Sequence, residues 1–386
     1  MKKRVLFYCQ SLLGIGHFIR SRELLFALHD FEVCFLYGGE SVPGFTWPDW
    51  VEVVYLPALR SDAAFAKLYV VDGAASLAEI KARRGEMLLA AFDRFAPDIL
   101  LIELFPFGRK KFNFELLPLL ARARAAAHEC RIVCSLRDIL VSRAEQAGYE
   151  TGVAAVINQY FDLLLVHADP RVQRLEESFG GMDLLQCPIR YTGYVAQPAP
   201  APTEQNAADD PLILVSIGGG RVGHELITCA LEASPLLPMA HRIQIFTGPH
   251  IPPDVFAALQ DKAASLPHVN LQRHTTEFPL WLSRAALSIS QAGYNTCMDI
   301  LAARARALVY PFSENGNDEQ TRRAHKLEQL GCVRMLDPAA LTPSCLAAQI
   351  GQALSAPPAA TAITPDLQGA ARTASMLAEL LAASEH

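Results

Sequence analysis

Short apolar runs of strand length recur along the chain, separated by longer stretches in which apolar positions return with a helical period. The short runs do not alternate with polar residues, which is how a strand reads when both faces of its sheet are covered. The longer stretches read as the helices that cover them. In the first half this pattern predicts strands at Val5–Cys9, Val33–Tyr37, Val51–Leu56, Ile99–Leu104, Ile132–Leu136 and Leu163–His167. Helices such as Arg20–His29 and Leu116–His128 fall between them. The pattern restarts with Leu212–Ile217, then Ile243–Thr247, Val269–Gln272, Leu287–Ser290 and Ala307–Pro311. The class is α/β with parallel sheets.

Between the halves, a Pro/Ala run at 196–202 passes into the polar stretch 203–210, the composition of a semi-extended linker. This divides the chain into a domain at 1–195, a linker at 196–210 and a domain at 211–364, followed by a helical stretch at 365–386. Each half places glycines after its first strand: Leu13-Gly14-Ile15-Gly16-His17 in one, Gly218-Gly219-Gly220-Arg221-Val222-Gly223 in the other. Two Rossmann-like domains are expected, with ligands in the cleft at the carboxyl ends of their strands.

Composition narrows the classes. Hydrophobic residues make up 51% and charged residues 19%, which excludes disordered and coiled-coil chains. The formal charge of −6 supplies no general attraction to nucleic acid, so an anionic ligand has to be met locally. Nine cysteines without a CxxC pair read as free thiols rather than disulfides or a zinc site. The apolar run after Met1-Lys2-Lys3-Arg4 is too short for a signal peptide, and no run is long enough to span a bilayer. A cytoplasmic protein is expected.

Gly218, Gly219, Gly220, Arg221 and Gly223 join a buried strand to a helix, an arrangement that exposes backbone N–H groups and a positive helix end to an anion. A tight turn requiring glycine is the other reading of the same residues. The loop lacks the Lys-Ser/Thr ending of a P-loop. Further on, Ser290-Gln291-Ala292-Gly293-Tyr294-Asn295-Thr296-Cys297-Met298-Asp299 is followed by Ala307–Pro311 and then Asp318-Glu319-Gln320. This succession resembles the donor-binding half of GT-B glycosyltransferases, closest to the group containing the peptidoglycan N-acetylglucosaminyltransferase.

The resemblance implies a GT-B architecture, two Rossmann-like domains facing an interdomain cleft, with the 365–386 helix crossing back to the first domain. It implies a nucleotide-sugar donor, UDP-linked and resembling UDP-GlcNAc, with no cofactor and an inverting, metal-independent transfer to an unidentified acceptor. Gly293, Asn295 and Thr296 would then receive phosphate at a helix start. Asp299 stands where the family has a Glu for the ribose hydroxyls, Glu319 and Gln320 match the pair that reads the donor sugar, and Thr275 lies in the segment that holds the base.

In the first half, Gly14 and Gly16 resemble the N-terminal loop of the same group and also the glycine-His loop of the UDP-sugar hydrolase of pseudaminic acid synthesis. His17 is the first candidate base, able to take a proton from an acceptor hydroxyl or to contact the diphosphate. Glu103, just past the apolar Ile99–Ile102, and Asp138, just past Ile132–Arg137, are rival bases. Phe105–Phe114 mixes aromatics with Arg109, Lys110 and Lys111, a composition suited to peripheral contact with an anionic inner membrane face and a lipid-linked acceptor. The rival readings are a nucleotide-sugar hydrolase, a non-hydrolysing epimerase and a catalytically silent sensor of sugar nucleotides.

Overall fold

The computed structural model describes the chain except residues 1, 13, 43, 62–66, 72, 74, 144, 201–209, 314–317, 358–362 and 384–386. Most of the expected 196–210 linker therefore lies outside the described residues. The first domain is a seven-stranded parallel sheet in the order β3-β2-β1-β6-β7-β8-β9. Its strands are β1 Arg4–Cys9, β2 Glu32–Tyr37, β3 Val51–Tyr55, β6 Ile99–Glu103, β7 Arg131–Arg137, β8 Leu163–His167 and β9 Ile189–Tyr191, with β4 Leu59–Ser61 and β5 Leu68–Val70 forming a separate hairpin. The second is six-stranded, in the order β12-β11-β10-β13-β14-β15, built from β10 Leu212–Ser216, β11 Arg242–Phe246, β12 Val269–Gln272, β13 Leu287–Gln291, β14 Ala307–Tyr310 and β15 Arg334–Met335.

Unbroken burial explains why the runs carry no polar alternation. All five residues of β6 and of β8 are buried, because helices cover both sheet faces. In the first domain these helices are α1 Gly16–Ala27, α2 Leu77–Phe95, α3 Asn113–Arg124 and α4 Gln146–Tyr160. In the second they are α5 His224–Ala233, α6 Pro253–Ala264, α7 Phe278–Arg284, α8 Tyr294–Ala303, α9 Glu319–Gln329 and α10 Pro343–Ser355. The last helix, α11 Gly369–Ala382, returns to pack on α1, held by a Gly369 N–H bond to the Tyr194 carbonyl and an Arg190–Glu379 ion pair.

Several elements differ from the pattern, and the helix expected at Leu116–His128 is α3, Asn113–Arg124. Helix α1 begins at Gly16 rather than Arg20: its first turn holds Gly16 and His17 together with the buried Phe18 and Ile19. Edge strands β9 and β15 are too short and too polar to read as apolar runs. The nine cysteines are free thiols, seven of them buried. The expected membrane contact through Phe105–Phe114 is corrected: Phe105, Phe107 and Phe112 are core residues at most 2% exposed, and Lys81 lies over the Phe114 ring. Aromatics committed to the core have nothing to insert into a bilayer. No helix among the described residues is long and apolar enough to cross a membrane.

In each sheet the strand order reverses at the first strand, β1 lying between β2 and β6, and β10 between β11 and β13. Such a switch point opens a crevice at the strand carboxyl ends. The two crevices face one another, locked by buried polar contacts between domains. Arg323 of α9 donates through Nε and Nη2 to both oxygens of Asp138 at 2.9 and 2.8 Å, through Nη2 to Glu319 at 2.7 Å and through Nη1 to the Ala292 carbonyl at 3.0 Å. Arg137 reaches the other Glu319 oxygen at 2.6 Å. The Tyr294 hydroxyl donates to the His167 carbonyl and accepts from the Val195 N–H.

Removing one member of this lock leaves a buried charge without its partner. Arg323→Met should therefore cost about 3–5 kcal/mol in urea unfolding. Adding Asp138→Leu should recover part of that loss; a single-variant cost below about 1 kcal/mol would show that the domains are held elsewhere.

Candidate functional site

The cleft between the two sheets holds a cavity of about 370 Å³ lined from both domains, within the size range of small-molecule sites. Two helix starts converge on it. The first turn of α1 contributes Gly16 and His17, and that of α8 contributes Tyr294, Asn295 and Thr296 after the N-cap Gly293. Asn295 Nδ2 donates to the Gly16 carbonyl at 2.9 Å, joining the two starts across the cleft. Each leaves N–H groups without intrahelical partners, so the cleft carries positive partial charge from both sides.

Of the glycine loop, Gly218 and Gly219 line the cleft. Gly220, Arg221 and Gly223 do not, which corrects the reading of the whole loop as ligand-binding. A Cβ on Gly220 would meet the Thr247 carbonyl at 2.5 Å, and one on Gly223 would meet Gln291 Nε2 at 1.8 Å. Both have positive φ, 87° and 86°. These two glycines build the turn. Arg221 instead pairs with Glu40 of the first domain at 3.2 Å.

Gly14 and Thr275 line the cleft as well. Asp299 reaches it from the second turn of α8, only 4% exposed, and accepts from Gln197 Nε2 at 3.1 Å. Burial pushes its pKa up to about 8 against the opposing effect of the Gln197 bond, so Asp299 is protonated at neutral pH. Gln320 Oε1 accepts from the Phe312 N–H at 3.1 Å, which leaves its Nε2 to donate. Glu319 lines the cleft, but each of its oxygens is engaged by a guanidinium, Arg323 on one and Arg137 on the other. Burial would raise its pKa; Arg137 and Arg323 reverse this and hold it ionised.

Three candidate bases resolve into different parts. Asp138 is corrected: it is 1% exposed, both oxygens are held by Arg323, and it is not among the described residues lining the cleft. Glu103 is completely buried and accepts from His17 Nδ1 at 2.7 Å and from Arg20 Nη2. It therefore orients the imidazole instead of meeting substrate. With the Nδ1 proton committed to the carboxylate, His17 Nε2 carries the lone pair, and the side chain is 19% exposed in the cleft. Burial lowers the His17 pKa to about 4; Glu103 opposes the shift, and Arg109 and Arg20 add to it. Burial would raise the Glu103 pKa, but His17, Arg20 and Arg109 hold it well below the usual carboxylate range. The pair is thus a neutral imidazole beside a carboxylate.

Sequence reasoning missed Arg20, Arg109, Arg137 and Gln197, all of which line the cleft. Arg20 lies one helical turn from His17, a spacing that signals a shared face. Arg109 was concealed in the basic aromatic stretch; the chain turns back at Leu104 and Arg109, both at positive φ, and carries it inward. Among the described residues no group of three or more His, Cys, Asp or Glu is placed to hold a metal ion.

Residues 213–377 match the glycosyltransferase family 28 C-terminal domain. The chain is similar to the UDP-N-acetylglucosamine--N-acetylmuramyl-(pentapeptide) pyrophosphoryl-undecaprenol N-acetylglucosamine transferase of Bordetella pertussis, 28% identical over 266 residues, 64% of this chain and 72% of that one. It is 29% identical to the same-named protein of Rhodospirillum rubrum over 145 residues, 37% of this chain and 38% of that one. The structure aligns with Acinetobacter baumannii MurG at a TM-score of 0.56 and 14% identity, covering 98% of this chain and 99% of that one. It aligns with TcCGT1 in complex with UDP at 0.61 and 12% identity, covering 99% and 94%. The fold is GT-B.

The state of Asp299 is open to measurement. Its folded pKa lies above the unfolded value of 3.8, so the native state holds a proton that the unfolded state has lost, and stability falls as pH rises between those values. Asp299→Asn mimics the protonated form and should abolish a loss of up to about 1.4 kcal/mol per pH unit across that window. Urea unfolding at pH 5 and pH 8 measures it; equal pH slopes in both proteins would mean that Asp299 is ionised.

Proposed function

We propose that this chain, a glycosyltransferase of GT-B fold, moves a sugar from a nucleotide donor to an acceptor hydroxyl by a single inverting displacement without a metal ion. The observation that carries the reading is the His17–Glu103 pair facing the α8 helix start and Gly218–Gly219 across one cleft. One wall holds a base and the other holds groups suited to a leaving diphosphate. The names of the similar transferases support UDP-N-acetylglucosamine as the donor.

In this reading the donor diphosphate lies against the N–H groups of Gly218, Gly219 and the first turn of α8, where preorganised dipoles offset the charge that develops on it. Asp299 meets the ribose and Gln320 the sugar hydroxyls. Glu319 shares the sugar with Gln320 through acceptor capacity left on oxygens that already bridge the domains. His17 Nε2 takes the acceptor proton as the hydroxyl oxygen bonds to the anomeric carbon and the bond to the diphosphate breaks. The proton is then shared over an imidazolium held by Glu103.

Incubation of the protein with a panel of nucleotide sugars, with and without cell extract as an acceptor source, tests the reading. Nucleoside diphosphate release only with extract supports transfer; release without it, in step with free sugar, assigns a hydrolase. Binding without release assigns a sensor.

His17→Gln should lower kcat by about 10² to 10⁴ while UDP affinity in calorimetry stays near wild type. Near-normal kcat with weakened UDP binding would make His17 a diphosphate contact. Gln320→Ala should weaken UDP-sugar binding by about 0.5–1.5 kcal/mol and leave UDP binding unchanged, whereas equal losses would remove Gln320 from the sugar site.

A further inference from the structure

The acceptor wall of the cleft carries more positive charge than its own carboxylates balance. Arg20 and Arg109 lie against Glu103, Arg323 against Asp138 and Glu319, and Arg137 against Glu319. Among the described residues this cluster therefore sets four guanidiniums against three carboxylates, with His17 neutral. The surplus falls on Arg109. Its side chain is 6% exposed, and its nearest carboxylate oxygen, Glu103 Oε2, is 3.7 Å away, beyond hydrogen-bond reach.

Arg109 Nε and Nη2 are buried and make no hydrogen bond among the described residues; Arg137 Nε is in the same condition. Nε and Nη2 form one edge of the guanidinium, the fork that grips two oxygens of one anion. Both arginines line the cleft that contains His17. The backbone of Arg109 takes a φ of 63°, and with the positive φ of Leu104 it turns the side chain inward.

We propose that Arg109, assisted by Arg137, forms a carboxylate-binding subsite beside His17, so that the acceptor is a hydroxyl compound bearing a carboxylate. A carboxylate satisfies both nitrogens of the fork, and its single negative charge offsets the single surplus positive one. A phosphate dianion would overshoot that balance. The inference rests on the transferase reading, in which His17 meets the acceptor and the diphosphate lies on the opposite wall.

Calorimetry on the whole chain saturated with UDP tests it, with methyl β-D-glucuronide, the neutral methyl β-D-glucoside and inorganic phosphate as probes. Wild type should bind the glucuronide about tenfold or more tightly than the glucoside, the size of effect that a charge-assisted hydrogen-bonded pair gives. Arg109→Gln should erase that preference without changing UDP affinity, and Arg109→Lys should restore part of it. A preference that is absent in wild type or retained in Arg109→Gln overturns the proposal, as does phosphate binding more tightly than the glucuronide. A lower Tm with the preference intact would make Arg109 a structural partner of Glu103. Failure of wild type to bind UDP would instead remove the donor site on which the transferase reading stands.

Discussion

The Glu103 carboxylate, with no exposed surface, is the constraint around which the cleft is organised. An ion of this kind costs several kcal/mol to bury and persists only where cations and hydrogen bonds surround it. Here His17, Arg20 and Arg109 provide that environment, drawn from the first turns of α1 and from the loop after β6. One carboxylate thereby fixes the tautomer of the imidazole, anchors the start of α1 and holds Arg109 inside the cleft. A leucine at this position would leave three polar side chains buried with nothing to orient them.

The domains are held with equal economy. Arg323 joins Asp138, Glu319 and the Ala292 carbonyl, and Arg137 completes the bridge through Glu319. The lock lies at the edge of the ligand cleft, since Arg137, Glu319 and the adjacent Gln320 line it. Docking of the domains and the shape of the cleft wall are consequently coupled: Glu319 cannot be displaced without loosening both. The helix start of α8 is tied in by the same logic, with Tyr294 reaching the first domain and Asn295 the Gly16 carbonyl.

Much of this was legible in the chain. Fully buried parallel strands leave unmistakable apolar runs, so the cores of the principal strands and the α/β class follow from pattern alone. Glycine before a helix start likewise announced Gly293 and the His17 turn. The roles of charged residues were not legible, because they depend on partners far away in sequence. Asp138 looked like a base until Arg323, 185 positions along, took both its oxygens. Arg109, beside Lys110 in a run of aromatics, looked like a surface cation until the backbone turns at Leu104 and Arg109 brought it inside. Asp299 read as an ordinary carboxylate, and its depth in the cleft is what pushes its pKa up.

His17 stands in the cleft as a neutral imidazole, its Nδ1 proton held by Glu103 and its Nε2 able to accept another. Nitrogen-15 NMR of histidine-labelled protein, assigned with His17→Gln, observes this state directly. A protonated Nδ1 and an unprotonated Nε2 are expected at pH 7, with the ring taking its second proton only near pH 4. An imidazolium at pH 7, or a neutral ring with its proton on Nε2, would contradict it.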